Sequence, residues 1–491
     1  MGVIQRQSIK NILVNYVSVG IGAVSTIAIY PMNLDLYGSI QFWVSTATLL
    51  SALMSLGSYT LVSKYFPFFK KNKVSGFLNL VLLYALGSVA LITSLLWLLQ
   101  APILEYFASS SIEFNKINDY IHIIYPIACF LVFQAIFRGQ SANFQRVVIP
   151  DLITVFGIRV FMPILIFLGT YSYISANEAS YILVAFYATT TLALIVYVRI
   201  LKGYKFSFDF ISKLPFKKHK EMCTYMLFGA LNHIGSIITY KIDIIMIGLI
   251  INPVSVGYYA IFLFISTVIE VPSKAIIAIT SPLVSKSFEQ GEMDEVNRLY
   301  KRTSNNLFVA GVLIFGLIWM NLESLFSLMV NGENLIVLQS IFVFLGLTRI
   351  IDMTTALNFS ITSYSKHFRY NILFISLLSV LNISLNIYFI EAKGVIGAAI
   401  ATGISMFIFN IVKTLFVYFK FGMHPFNKKM ILPLLLLITV IFGLPCLPKF
   451  NSFILDGAFR SILFLGTALP ILYFGNVSVE ANALMKKILK R

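Results

Sequence analysis

Charge is scarce in this chain: Asp, Glu, Lys and Arg occupy 12% of 491 positions, against 58% hydrophobic residues and a mean hydropathy of +0.86. A soluble fold of this length cannot bury so much apolar surface, which excludes a globular protein and leaves a polytopic membrane protein. Cysteine is scarcer still. Cys129, Cys223 and Cys446 stand apart in apolar text with no CxxC spacing, which excludes a disulfide framework and a thiolate metal site and reads as small buried hydrophobes. The five histidines do not cluster, and His233, beside Asn232, reads as a satisfied polar residue rather than a ligand. Nucleotide-binding, zinc-protease, nucleophile-elbow and paired-carboxylate motifs are missing, and the outer loops are too short for a catalytic domain. No catalytic residue, metal or cofactor is expected.

What the chain has instead is apolar windows of about 20 residues, each long enough to cross ~30 Å of hydrocarbon. They fall near 9–30, 39–63, 76–100, 119–138, 150–170, 179–199, 224–251, 257–283, 305–329, 335–360, 370–390, 395–419, 430–448 and 458–476. The expectation is an all-α polytopic membrane protein of about fourteen transmembrane helices. Residues 1–10 carry only Arg6 and Lys10 before the first window, which is too long for a signal peptide and reads as an uncleaved first helix.

The net charge of +17 would point to nucleic acid in a soluble protein, but here its distribution sets orientation. Every second segment is basic: Arg6 and Lys10; Lys64 to Lys73; Arg138 and Arg146; Arg199 to Lys220; Lys286 to Arg302; Lys366 and Arg369; Lys413 to Lys429; and Lys486 to Arg491. The other face holds only Lys116, Lys393, Lys449 and Arg460, among acids such as Asp35, Glu178 and Glu333. By the positive-inside rule both termini are cytoplasmic, and the partners implied by the basic face are anionic lipid headgroups, not nucleic acid.

The chain also repeats itself. LVSKYF at 61–66 returns as LVSKSF at 283–288, LYG at 36–38 has a counterpart in SVG at 255–257, and Arg146 lies 223 residues before Arg369. One near-constant offset implies two homologous halves; with six spans each they share one orientation, a parallel repeat. The expected organisation is a six-helix lobe over 1–202, a basic cytoplasmic linker over 203–222, a second six-helix lobe over 223–422, and helices thirteen and fourteen with a basic tail over 423–491. The linker reads as an amphipathic stretch on the membrane, with Phe206, Phe208, Phe210 and Phe216 inward; a plain connector explains it equally well. The tail over 483–491 has the same two readings.

Eight ionisable residues fall within spans: Asp151, Arg159, Lys241, Asp243, Glu270, Lys274, Arg349 and Asp352. Such residues are expensive in hydrocarbon and mark functional positions unless paired. Glu270 with Lys274 and Arg349 with Asp352 have the spacing of helix-surface pairs, and the first pair reads equally well as glue between helices. Lys241 and Asp243 point to opposite sides of one helix, and Asp151 is ~12 Å along the axis from Arg159. Arg159, Lys241 and Asp243 therefore need partners on other helices or water. Asp151, after Pro150, reads as a helix N-terminal acid with no further role. Gly20, Gly22, Pro126, Gly157, Pro163, Pro272, Gly394, Gly397 and Pro433 interrupt the spans and allow bending and close packing.

KIDIIMIG at 241–248, SVGYYA at 255–260, KGVIGAAIATGIS at 393–405 and LDLYG at 34–38 resemble the polysaccharide transporter (Wzx-type) branch of the multidrug/oligosaccharidyl-lipid/polysaccharide exporter superfamily. The resemblance implies a flippase that moves a polyprenyl-pyrophosphate-linked oligosaccharide across the cytoplasmic membrane for surface polysaccharide synthesis, by alternating access of two lobes. Other membrane proteins of polysaccharide assembly are the implied partners. The headgroup would be held by some of Arg159, Lys241, Lys274 and Arg349, with Asp243, Glu270 and Asp352 exchanging partners between states and Arg138 and Arg146 at the cytoplasmic entrance. Span charges balance, four basic against four acidic. The alternatives within the superfamily are a multidrug exporter, against which stands the lack of any acid in 9–30, and a peptidoglycan-precursor flippase. From another class, a polysaccharide polymerase or ligase shares the composition but needs a long outer loop that this chain lacks.

Overall fold

Hydrocarbon offers backbone groups no hydrogen-bond partner, so a chain of this composition must satisfy them within helices. The structure, a computed structural model, describes residues 3–107, 115–204, 206–210, 214–443, 448, 450, 452–478, 480 and 482; among them there is no strand. Cys446, Lys205, Lys213, Lys449 and the tail over 483–491 lie outside the described residues. The chain is an all-helical, multi-pass membrane protein.

Two compact units divide at residue 257, Met1–Gly257 and Tyr258–Arg491. The first holds α1 (Val3–Ala28), α2 (Leu34–Ser55), α3 (Ser58–Lys71), α4 (Phe77–Phe107), α5 (Ile121–Asn143), α6 (Val148–Thr170), α7 (Ala176–Ile200), α8 (Phe216–Ile250) and the first turn of α9 (Pro253–Thr267). The second holds the rest of α9, then α10 (Val271–Glu289), α11 (Met293–Phe326), α12 (Ser340–Tyr364), α13 (Tyr370–Phe421), α14 (Ile431–Gly443) and α15 (Phe453–Phe474).

Among the described residues nine helices are long and apolar enough to cross a membrane, or up to eleven if two bent pairs each count as one span. The expected windows do not fall one to a helix. The 52 residues of α13 contain two of them, and the run breaks at Gly394, whose φ of 59° and ψ of −139° no helix contains. The Thr402 hydroxyl donates to Asn382 Oδ1 at 3.4 Å, although twenty residues of straight helix would hold them ~30 Å apart. The chain therefore doubles back at Gly394, as a bare glycine permits. The 13 residues of α14 are too few to span alone and run into residues outside the description.

Local chemistry sets the ends. Ser175 and Glu178 form a reciprocal capping box at the start of α7, Leu56 and Gly57 in left-handed conformation separate α2 from α3, and Gly422 at φ 69° stops α13. In the first unit α2 is the central element and packs against α5 and α8; in the second, α11 packs against α10, α12, α14 and α15. Glycine lets α2 and α3 lie close along α8: Gly248 sits against the Phe42 ring and Gly229 against Thr60. At one end of this seam Tyr65 donates to Glu221 at 3.0 Å, Lys218 pairs with Glu221 at 2.7 Å, and Lys64 lies 3.6 Å over the Tyr225 ring.

The four phenylalanines of the linker do not share one environment. Phe206, Phe208 and Phe216 are exposed, but Phe210 is buried in the protein, because Asn79 binds the Ser207 carbonyl at 2.9 Å and Gly76 leaves room for that backbone. Cys223 is exposed rather than buried, and Cys129 is half-buried. His233 packs on Tyr59, ring centroids 4.9 Å apart.

Candidate functional site

The first unit presents two intramembrane cations, Arg159 and Lys241, with no ion pair among the described residues. Arg159 follows a π turn at Leu152–Phe156 in α6, and its Nη1 is buried with no hydrogen-bond partner among the described residues. Tyr30, stacked on Tyr37 with centroids 4.2 Å apart, lies within electrostatic reach of Arg159. Lys241 is half-buried in α8 and has no ion pair among the described residues. Asp243, two residues on, is buried. A buried donor left without a partner costs about 1–3 kcal/mol and more when charged, so this guanidinium is held at a cost in stability.

Asp151 corrects its expectation as an acid with no further role. It sits in the first turn of α6 as anticipated, but its carboxylate also takes Arg138 Nη2 of α5 at 2.6 Å. Arg138 is thereby engaged in tying α5 to α6, while Arg146 stays exposed in the turn between them. The Arg138 pairing could not be read locally, because the partners are on different helices.

The second unit pairs its charges. Glu270, at the 47° bend between α9 and α10, accepts Arg349 Nη1 of α12 at 3.0 Å and lies 3.6 Å from Lys274. The expected pair at i and i+4 is present, and Arg349 joins it from another helix. Arg349 is buried, whereas the Lys274 side chain is 76% exposed. Asp352 accepts from Asn410 Nδ2 at 3.4 Å. Lys413, grouped by sequence with a cytoplasmic loop, is buried within α13 instead, 4.2 Å over the Phe409 ring and in electrostatic reach of Asp352. The window over 395–419 contained it, and that placement was the better signal.

Amides that charge counting passes over extend this network. Thr355 donates to Asn410 at 2.7 Å, Asn358 donates to Thr414 at 2.9 Å, and Tyr300 donates to Asn358. Asn410 and Thr414 also line an apolar cavity of about 250 Å³ with Phe308, Ile351, Ile411 and Phe426. Arg460 likewise leaves its expected outer loop: it is 1% exposed inside α15, pairs with Asp456 at 2.8 Å, and Asp456 accepts from Ser324 of α11 at 2.6 Å. This arrangement fixes α15 to α11.

No family model matches the chain. The probable flippase AglR of Haloferax volcanii is 29% identical over 201 residues, 39% of this chain and 40% of that protein, so the chain spans well under half of the curated relative it matches. Among solved structures, the Lipid II flippase MurJ in an inward closed conformation superposes with a TM-score of 0.69 and 15% identity, over 95% of this chain and 99% of that one. An inward-facing multidrug resistance MATE family transporter of the MOP superfamily gives a TM-score of 0.59 and 15% identity, over 83% and 94%. At such identities the likeness is one of fold.

Proposed function

We propose that this chain is a flippase of the MOP superfamily that carries a polyprenyl-pyrophosphate-linked oligosaccharide across the cell membrane, as a repeat unit for surface polysaccharide. The observation that carries this reading is the pair of intramembrane cations in the first unit, Arg159 and Lys241, for which no acid is provided among the described residues. A pyrophosphate cannot cross hydrocarbon unaided, and charge-assisted hydrogen bonds from guanidinium and ammonium groups replace its hydration. The polyprenyl tail stays in lipid. The partial match to a probable flippase supports the same class.

In this reading the basic segments face the cytoplasm, both termini included, and the lobes over 1–202 and 223–422 with the linker over 203–222 carry out alternating access. Helices thirteen and fourteen, over 423–491, flank them. Arg349 and Lys274 contribute to headgroup binding when Glu270 releases them, Asp243 and Asp352 exchange partners, and Arg138 with Arg146 meets the headgroup on entry. A lipid-linked peptidoglycan precursor presents the same pyrophosphate and is the second reading, favoured by the near-complete superposition on the Lipid II flippase. The multidrug reading has an observation of the same kind, the superposition on a MATE family transporter at a TM-score of 0.59.

The test is deletion in the native host, followed by isolation of lipid-linked oligosaccharides and assignment of the leaflet they occupy. A completed repeat unit accumulating on the cytoplasmic leaflet, with surface polysaccharide lost, establishes the reading and names the glycan. Accumulation of a peptidoglycan precursor selects the second reading. Normal glycans together with sensitivity to cationic dyes reject both.

A further inference from the structure

The cavity of about 250 Å³ in the second unit is walled by carbon. Phe308 of α11, Ile351 of α12, Ile411 and Leu415 of α13, and Phe426 line it, and the polar side chains of its wall are all engaged elsewhere. Thr354 donates to the Ile350 carbonyl at 2.6 Å, Thr355 to Asn410 at 2.7 Å and Asn410 to the Met406 carbonyl at 2.9 Å, while Thr414 accepts from Asn358 at 2.9 Å. A water would not find the two to four partners it needs, so the space is dry and suits an apolar ligand. It is also open, since Ile411, Leu415 and Phe426 are exposed. Beside membrane-spanning helices, such a surface meets acyl chains.

Basic residues rim one end of this cavity. Lys301 stands seven positions before Phe308, on the same face of α11 and ~10 Å nearer the start of the helix. Lys428 and Lys429 follow Phe426 closely in the chain; their turn, Lys428–Met430, packs on α11, and Leu432 just beyond joins the cluster built on Val309 of that helix. Lys420 comes five residues after Leu415 near the end of α13. These four lysines have no ion pair among the described residues, because the acids that reach this stretch of α11 are taken: Glu295 by Arg298 at 2.7 Å and Glu480 by Arg302. Asp294 lies two further turns out. A carbon-walled seat with cations ~10 Å along the helix matches a ligand that carries a hydrocarbon chain and, beyond it, a phosphate.

We infer that this cavity seats one acyl chain of an anionic phospholipid of the cytoplasmic leaflet, with the lipid phosphate among Lys301, Lys420, Lys428 and Lys429. The leaflet follows from the positive-inside orientation. The site does not depend on what the protein transports, and lies wholly within the second unit. A zwitterionic lipid fills the same cavity but leaves the lysines facing no net negative charge, so the two lipid classes are distinguished by the rim and not by the seat.

The experiment uses the full chain, purified in detergent, stripped of lipid and titrated with dioleoyl phosphatidylglycerol or dioleoyl phosphatidylcholine. Native mass spectrometry counts the bound lipid, and a melting curve confirms that each variant is folded. The parent should bind phosphatidylglycerol roughly tenfold more tightly than phosphatidylcholine, as a few lysines at a membrane surface allow. Ile411→Trp, which fills the seat from its exposed side, should remove one bound phosphatidylglycerol. Lys301→Gln with Lys428→Gln and Lys429→Gln should bring phosphatidylglycerol to the level of phosphatidylcholine; these are surface changes, and they decide the matter where the filled variant does not fold. Equal affinity of the parent for both lipids, or phosphatidylglycerol held undiminished by Ile411→Trp, would overturn the inference. Displacement of the bound lipid by an equal concentration of undecaprenyl phosphate would overturn it too, and make the cavity a seat for the tail of the substrate.

Discussion

The two units differ in how they hold their intramembrane cations, the Arg138–Asp151 pair of the first unit apart. In the first, Arg159 and Lys241 have no acid at hand among the described residues; in the second, Arg349 has Glu270, Lys274 shares it, and Lys413 lies near Asp352. A buried ion pair is demanding in geometry and returns little net stability, but it leaves nothing for a ligand to neutralise. An unpaired cation does the reverse. On the proposed function, ligand binding falls first to one unit and the holding of helix geometry first to the other.

The largest effect expected from breaking this contrast is on transport. Arg159→Ala and Lys241→Ala should each reduce translocation by roughly 10–100-fold, the worth of one charge-assisted hydrogen bond to an anion, with little change in thermal stability. Leaflet assignment of the lipid-linked oligosaccharide, beside a melting curve in detergent, measures both; a large loss of stability would show that these cations are structural after all. Next comes stability in the second unit. Arg349→Ala leaves Glu270 with the mostly exposed Lys274 at 3.6 Å, and a broken buried pair costs about 3–5 kcal/mol, so the melting temperature should fall clearly. Arg349→Met combined with Glu270→Gln should recover most of it, and a double variant as unstable as the single one would contradict the pairing.

A smaller loss is expected at the accessory helix. Asp456→Asn weakens the hold on Arg460 and Ser324, by roughly 1–3 kcal/mol for a hydrogen-bonded charge, and should loosen α15 from α11 without altering transport of substrate already bound. Limited proteolysis of the loop before α15 reads this directly. Smallest is Lys274→Ala. Its side chain is mostly exposed and Glu270 keeps Arg349, so stability should change by less than about 1 kcal/mol and transport by a few-fold at most. Abolished transport in Lys274→Ala would erase the contrast between the units.

Much of the architecture was legible because the bilayer imposes it. Apolar windows located the long helices, though two of them fell within α13 and that over 39–63 took in α2 and part of α3, and the repeated LYG and SVG landed on matching positions, since an N-cap asparagine five residues before a glycine occurs at both. That spacing, Asn33 with Gly38 and Asn252 with Gly257, was available to sequence reading and passed over. What failed to read out was long-range. Nothing near Asp151 signals Arg138, and nothing near Arg349 favours Glu270 over Asp352, because the choice is made by helix packing. Lys413 and Arg460 were misplaced for a simpler reason: each lies inside its apolar window, 395–419 or 458–476, but was assigned by its charge to the adjoining loop, whereas α13 and α15 hold both in their interiors.

The π turn at Leu152–Phe156 has a consequence for how this protein tolerates change. A π turn takes one residue more than an α turn for about the same rotation, so it holds an extra residue between Asp151 and Gly157 without turning the helix that follows. Removing one of them, Thr154 for example, would let the segment relax to an ordinary helix and leave the Arg159 guanidinium facing nearly as before. A further insertion has no such slack and should swing everything after it by about 100°. Change of length is tolerated there in one direction only.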